Sequence, residues 1–216
     1  MSSVSLLSCT DISFLELMFG NNPFAHAPPL PPWTTENMQY TQLADDLPPI
    51  ENRPPSVTRF TFTRFEPDIT SCVVLGPAGN KYFDINSHGY CTTILKSTPS
   101  EVCAKIFWNQ NPVVETSFHG QNVFRQLARA YLALSRDGSH RMMQVKGRSY
   151  IWIPRENGTY LYGRGSFGIT EEYARTRLAE DMCNIHLEIA NPAFPRGLFE
   201  PCILSTALLY SGRSIE

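Results

Sequence analysis

Few short patterns constrain a fold as firmly as Asn-Gly set between two runs of β-branched and aromatic residues. This chain has one at Asn157-Gly158, with Arg148-Ser-Tyr-Ile-Trp-Ile-Pro-Arg155 before it and Thr159-Tyr-Leu-Tyr162 after it. The pattern predicts a β-hairpin and makes the local topology antiparallel. Gly163-Arg-Gly165-Ser-Phe-Gly168 comes immediately after, a literal G-x-G-x-x-G.

The residues around the hairpin repeat its logic. Thr58–Phe65 alternates with period two, and Ile69–Leu75 runs into the turn cluster Gly76-Pro-Ala-Gly-Asn80. Lys81–Ile85, Cys91–Leu95, Glu101–Trp108, Val113–Phe118 and Arg141–Val145 read as further strands, the last turning at Lys146-Gly147. Cys183–Ile189 is a half-buried strand, with Ile185, Leu187 and Ile189 on one face. Strands at this spacing suggest a sandwich or a barrel. Two segments break the rhythm. Val123–Leu134 has the apolar spacing of an amphipathic helix, and Pro201–Tyr210 is apolar nearly all round, a buried helix with proline in its first turn. Thr170–Asp181 reads equally as a helix or as an edge strand.

Residues 1–56 are of another kind. Nine of the seventeen prolines fall there, which removes backbone donors and favours extended segments over a core. A disordered proline-rich leader is expected over 1–56, with the folded domain at 57–216. Within the leader, Asp11–Phe19 has the pattern of a short capped helix, and Pro28-Pro-Leu-Pro-Pro32 the outline of a ligand for proline-binding domains.

The net charge of −2 supplies no global field for nucleic acid, and no apolar run approaches the length that spans a bilayer. The first residues lack a basic segment ahead of an apolar one, so an intracellular location is expected. The six cysteines show no C-x-x-C spacing. They are expected as buried thiols in a reducing compartment rather than as zinc ligands. The sequon Asn157-Gly-Thr159 is then explained by the turn.

The order of elements carries a resemblance. An F-x-F strand, a G-x-x-G turn, a T-x-I strand, Ala104-Lys-Ile-Phe-Trp108, Arg148-Ser-Tyr-Ile-Trp152, Ala174-Arg-Thr-Arg-Leu178, Leu187-Glu-Ile189 and a terminal apolar helix succeed one another. This series resembles an uncharacterised domain family of mushroom-forming fungi, itself similar to the tubby C-terminal and phospholipid-scramblase architecture. The resemblance implies a mainly β fold: an antiparallel barrel enclosing a hydrophobic C-terminal helix, with one additional amphipathic helix. It implies no catalytic residue. Tubby-type domains bind phosphoinositide headgroups through basic residues, so an anionic lipid is the ligand class it suggests.

The residues offer three sites to weigh against that. The glycine motif, with Glu188 twenty residues beyond Gly168, has the outline of a dinucleotide fingerprint. It comes after the second arm of a hairpin, however, and only 48 residues remain for a doubly wound sheet. Asp84, Ser87 and His88 have the composition of a hydrolytic triad, but neighbours on a strand point to opposite faces. The basic residues weigh most: Arg125, Arg129, Arg136, Arg141, Lys146 and Arg148 lie within 24 residues that include one acid, Asp137. Arg164, Arg175 and Arg177 are candidates to join them. A binding surface is therefore expected at Arg125, Arg129, Arg141, Lys146, Arg148 and Arg164, with no cofactor, metal or catalytic group. The expected function is a non-enzymatic binding module for anionic membrane lipid headgroups. The alternatives are a nucleotide-dependent enzyme using the Gly163–Gly168 loop and an adaptor that captures a protein partner through the leader.

Overall fold

A computed structural model describes residues 56–63, 65, 68–118, 123–165, 168–180 and 183–216. The leader expectations, including those for Asp11–Phe19 and Pro28–Pro32, lie outside the described residues. The described chain folds into one antiparallel sheet of thirteen strands. Seven of them are β1 (Val57–Thr63), β2 (Cys72–Leu75), β3 (Lys81–His88), β4 (Cys91–Ser97), β5 (Ser100–Phe107), β6 (Val113–Thr116) and β7 (Phe124–Leu127). One helical turn, α1 (Ala128–Tyr131), leads to β8 (Ala133–Leu134), β9 (Arg141–Val145), β10 (Arg148–Arg155), β11 (Gly158–Gly165), β12 (Gly168–Leu178) and β13 (Ile185–Ala190). The helix α2 (Phe199–Leu209) comes last.

The sheet order is two consecutive meanders placed side by side. β7 back to β1 run in reverse chain order, β1 pairs with β13, and β13 back to β8 complete the sheet. β7 and β8 are the two edges, so the expected barrel is not closed by hydrogen bonds. The edges are joined by the chain itself, through α1 and Leu132. This corrects the amphipathic helix expected over Val123–Leu134. Phe124–Leu127 forms a ladder with β6, Ala133 and Leu134 form one with β9, and only four residues between them are helical. The ambiguity over Thr170–Asp181 resolves to a strand as far as Leu178, and not an edge one: β12 lies between β11 and β13.

Both hairpins that flank β10 form. At Lys146-Gly147 the two turn residues have φ +50° and +73°, the left-handed pair that matches the twist of a two-residue hairpin. At the Asn-Gly hairpin the turn is one residue earlier than the pattern predicts. Arg155 faces Gly158, leaving Glu156 and Asn157 as the loop. Gly158 is needed for another reason. A Cβ there would lie 2.0 Å from the Thr176 carbonyl oxygen, so glycine lets β12 approach the backbone of β11.

α2 is the core. Every residue from Pro201 to Leu209 is buried, as expected of a segment apolar all round. Contacts reach it from several elements. Tyr131 Oη donates to the Pro201 carbonyl at 3.3 Å, and Ser205 Oγ donates to Met143 Sδ at 3.4 Å. The Phe199 ring packs on Phe60 and Phe83. Alternation on the strands aims Phe60, Phe62, Ile85, Ile106, Tyr150, Trp152, Leu161, Ile185, Leu187 and Ile189 at this helix. Each fully buried Leu or Ile of α2 contributes roughly 1.5–3 kcal/mol relative to exposure.

The cysteines match expectation in part. Cys72, Cys103 and Cys202 are free and buried, and Cys91 is free and half-buried. Cys183 departs from it: it is disulfide-bonded.

Candidate anion-binding surface

The six basic residues expected to form one surface separate into three groups. Arg141 begins β9 in phase with Met143 and Val145, so it shares their inward face and is buried. Its Nη1 donates to the Leu132 carbonyl at 2.8 Å, and its Nη2 to Glu216 Oε1 at 2.7 Å. It is a structural residue and presents nothing to a ligand. Arg125 stands opposite Glu115 on β6, pairs with it at 3.2 Å, and lies 5.5 Å from the centre of the Phe107 ring.

The remaining four lie on α1, on the β9–β10 turn and at the adjoining ends of β10 and β11. Lys146 is at the tip of the β9–β10 turn, and Arg148 opens β10 opposite Val145. Arg164 faces Ser149, the next residue of β10, and its Nη1 lies 3.0 Å from Met142 Sδ. Arg129 is exposed on α1, which packs beside β9. All four are exposed, and among the described residues none has a carboxylate within 4.0 Å. They are cations whose charge the described part of the protein has not already neutralised.

A second basic group was missed by counting along the chain. Arg59, Glu188 and Arg175 stand in register on β1, β13 and β12. Glu188 is buried, on the face away from α2. Arg59 donates to its Oε1 from Nε and Nη2, at 3.1 and 2.7 Å. Arg175 pairs with Oε2, and Arg177 reaches Oε1 at 3.6 Å. The acid that the dinucleotide pattern assigns to a ribose is thus held by three guanidinium groups. Beside it, Thr61 Oγ1 and His186 Nδ1 are 3.2 Å apart. The signal for this cluster is the polar phase of three strands; what joins them is a register between residues 129 apart in the chain.

The glycine motif has no helix behind it. Gly165 pairs with Gly168, so the segment is the β11–β12 hairpin, whereas the dinucleotide fingerprint places phosphate at a helix N-terminus. Asp84 pairs with Lys81 at 2.8 Å and Ser87 Oγ lies 2.9 Å from Thr92 Oγ1, so the two do not converge with His88.

Asp137, Ser139 and His140 do come together. Ser139 Oγ lies 2.8 Å from both Asp137 Oδ1 and His140 Nδ1. In a working triad the acid orients the imidazole; here it accepts instead from Ser135, from the Ser139 hydroxyl and from the Ser139 backbone N–H. The Ser135 hydroxyl first, then these Ser139 donors, holds the Asp137 carboxyl down at about 2, and burial lowers the His140 imidazole. Ser139 is buried, so the group is the chemistry of a turn. Among the described residues no three His, Cys, Asp or Glu side chains are placed to hold a metal ion, and no helix is long and apolar enough to cross a membrane.

No family model, curated relative or solved structure matches the chain.

Proposed function

We propose that the chain is a non-enzymatic binding module that receives anionic phospholipid headgroups through the exposed cations Arg129, Lys146, Arg148 and Arg164. The observation that carries this reading is the pairing pattern. Arg59, Arg125, Arg141, Arg175 and Arg177 each meet a carboxylate of the chain, while these four exposed cations do not among the described residues. Guanidinium forks at Arg129, Arg148 and Arg164 suit bidentate phosphate contacts, and Lys146 adds a point charge at the tip. A relationship to the tubby-like architecture belongs to the same proposal. It is supported by the mainly antiparallel sheet and by the all-buried C-terminal helix.

The test is vesicle flotation with the full chain and phosphoinositide-containing liposomes. A basic residue at a membrane surface is worth about 1 kcal/mol, so loss of Lys146, Arg148 and Arg164 together weakens binding on the order of 100-fold. Charge reversal at all three is expected to abolish flotation, and Arg125→Glu to leave most of it. Unchanged flotation in the triple variant would falsify the assignment, as would wild-type protein that stays in the soluble fraction. Capture of a protein partner that survives the triple variant would favour the adaptor reading instead.

A further inference from the structure

The guanidinium cluster around Glu188 holds more positive charge than that carboxylate needs. Arg59, Glu188 and Arg175 make one row across β1, β13 and β12, and Thr61, His186 and Arg177 make the next row on the same face. It is the face away from α2, because the alternate residues Phe60, Leu187 and Ala174 belong to the core. Two strand spacings, about 10 Å, separate the ends of each row.

A carboxylate has room for about four hydrogen bonds. Arg59 spends Nε and Nη2 on Oε1, at 3.1 and 2.7 Å. Arg175 spends Nε on Oε2, at 2.5 Å, and pairs with the same oxygen through Nη2. These two forks meet the acceptor capacity of Glu188. Arg177 Nη2 stops 3.6 Å from Oε1, beyond hydrogen-bond length, and among the described residues its guanidinium makes no hydrogen bond. Its attraction to Glu188 is shared with two other guanidinium groups that repel it. The burial of Glu188 therefore accounts for two of the arginines and leaves the third unexplained.

We infer that this outer face of β1, β13 and β12 is a second anion site, built to take a single phosphoryl group. The charge fits. Three guanidinium groups around one carboxylate leave an excess of two, and a phosphomonoester carries close to two negative charges at neutral pH on three terminal oxygens. The donors fit as well. Arg59 and Arg175 grip Glu188 by their Nε–Nη2 edges, so each keeps Nη1 for a ligand, and Arg177 keeps its whole fork. Glu188 acts as a post that fixes the planes of two forks in advance, which lowers the ordering cost of binding. The site is also open. The Arg59 and Arg177 side chains are 51% and 41% exposed, with Arg175 beneath them at 13%. It shares no residue with the cations proposed to meet lipid and stands independently of that reading.

The experiment is titration calorimetry of the full chain with inorganic phosphate at constant ionic strength, with acetate as the competing monoanion. Saturable binding to one site is expected, and acetate should not displace it. Arg177→Gln should weaken phosphate at least about tenfold, the worth of one charge-assisted hydrogen bond, without lowering the melting point. Charge reversal at Lys146, Arg148 and Arg164 should leave phosphate affinity unchanged. Flotation of Arg177→Gln on phosphoinositide vesicles separates the two sources of a phosphoryl group. Flotation equal to wild type identifies a soluble phosphate ester, and weakened flotation a lipid headgroup, either of them at this site. Absence of saturable binding, equal affinity in Arg177→Gln, or loss of binding in the triple variant would each overturn the inference. So would a lower melting point in Arg177→Gln, because the third guanidinium would then serve Glu188 after all.

Discussion

Arg141 separates a structural from a binding role for the basic residues, and replacing it with methionine gives the sharpest outcome. Methionine keeps most of the aliphatic volume, so little cavity is left. What is lost includes the charge-assisted bonds to the Leu132 carbonyl and to Glu216. Each such bond is worth roughly 1.5–3 kcal/mol. The Glu216 side chain is 52% exposed and water will take up its lost partner, so that bond counts near the bottom of the range or below it. Leu132 is fully buried, and its carbonyl loses this donor with no water to replace it. The net loss is then about 3 kcal/mol, or a melting point lower by about 6–12 °C for a domain of this size. The assay is a urea titration read by tryptophan fluorescence, with vesicle flotation on the same samples. Arg148→Met is the comparison: its stability should change by no more than about 0.5 kcal/mol while its lipid binding falls. A loss under about 1 kcal/mol for Arg141→Met would mean that the buried guanidinium does not hold the junction between the sheet edges. Equal loss of flotation in a fully folded Arg141→Met would return Arg141 to the binding surface.

Leu204→Ala, in the middle of α2, should destabilise the domain by about 2–5 kcal/mol in the same titration; a loss below about 1 kcal/mol would contradict the central place of the helix. Gly158→Ala must move the Thr176 backbone as well as strain a φ of +138°, so a loss of at least about 2 kcal/mol is expected, and a neutral result would sink the close-approach account. Burial, the leading cause, raises the Cys72 and Cys202 thiols and pushes Cys103 up to about 12, so these stay protonated through neutral and mildly alkaline pH. At pH 8 about one part in ten thousand of Cys103 is thiolate. Alkylation of the native protein should therefore mark Cys91 first and the other three only on unfolding. Labelling of Cys103 as fast as Cys91 would refute the burial argument.

The strands were legible because period two is a local property. Phe60 and Phe62, or Ile185, Leu187 and Ile189, declare a buried face without reference to any partner. The C-terminal helix was legible for a similar reason, since Cys202–Leu209 offers no polar stripe for water. Register and closure are not local. Arg59 and Glu188 meet only because β1 lies against β13, and nothing near either residue announces the other. The segment Phe124–Leu134 misled because a strand, a helical turn and a strand in succession leave Leu127, Tyr131 and Leu134 at helical spacing. A count of basic residues along the run does not distinguish Arg141 from its exposed neighbours. Its phase with Met143 and Val145 marks it as inward-facing, and that signal stands in the sequence.

The two meanders differ from the ladder that unites them in how far apart their partners lie in the chain. Within each meander, strands adjacent in sequence are adjacent in the sheet, so their pairing closes short loops. β1 and β13 come together between residues 129 apart. Ordering so long a loop is an entropic cost met only once both meanders exist. Until then β1 and β13 are open edges, able to pair with the same strands of another molecule. Dilution during refolding should therefore raise the yield of monomer, and excess β13 peptide should lower it by taking the place on β1 that the protein's own last strand is the last to reach.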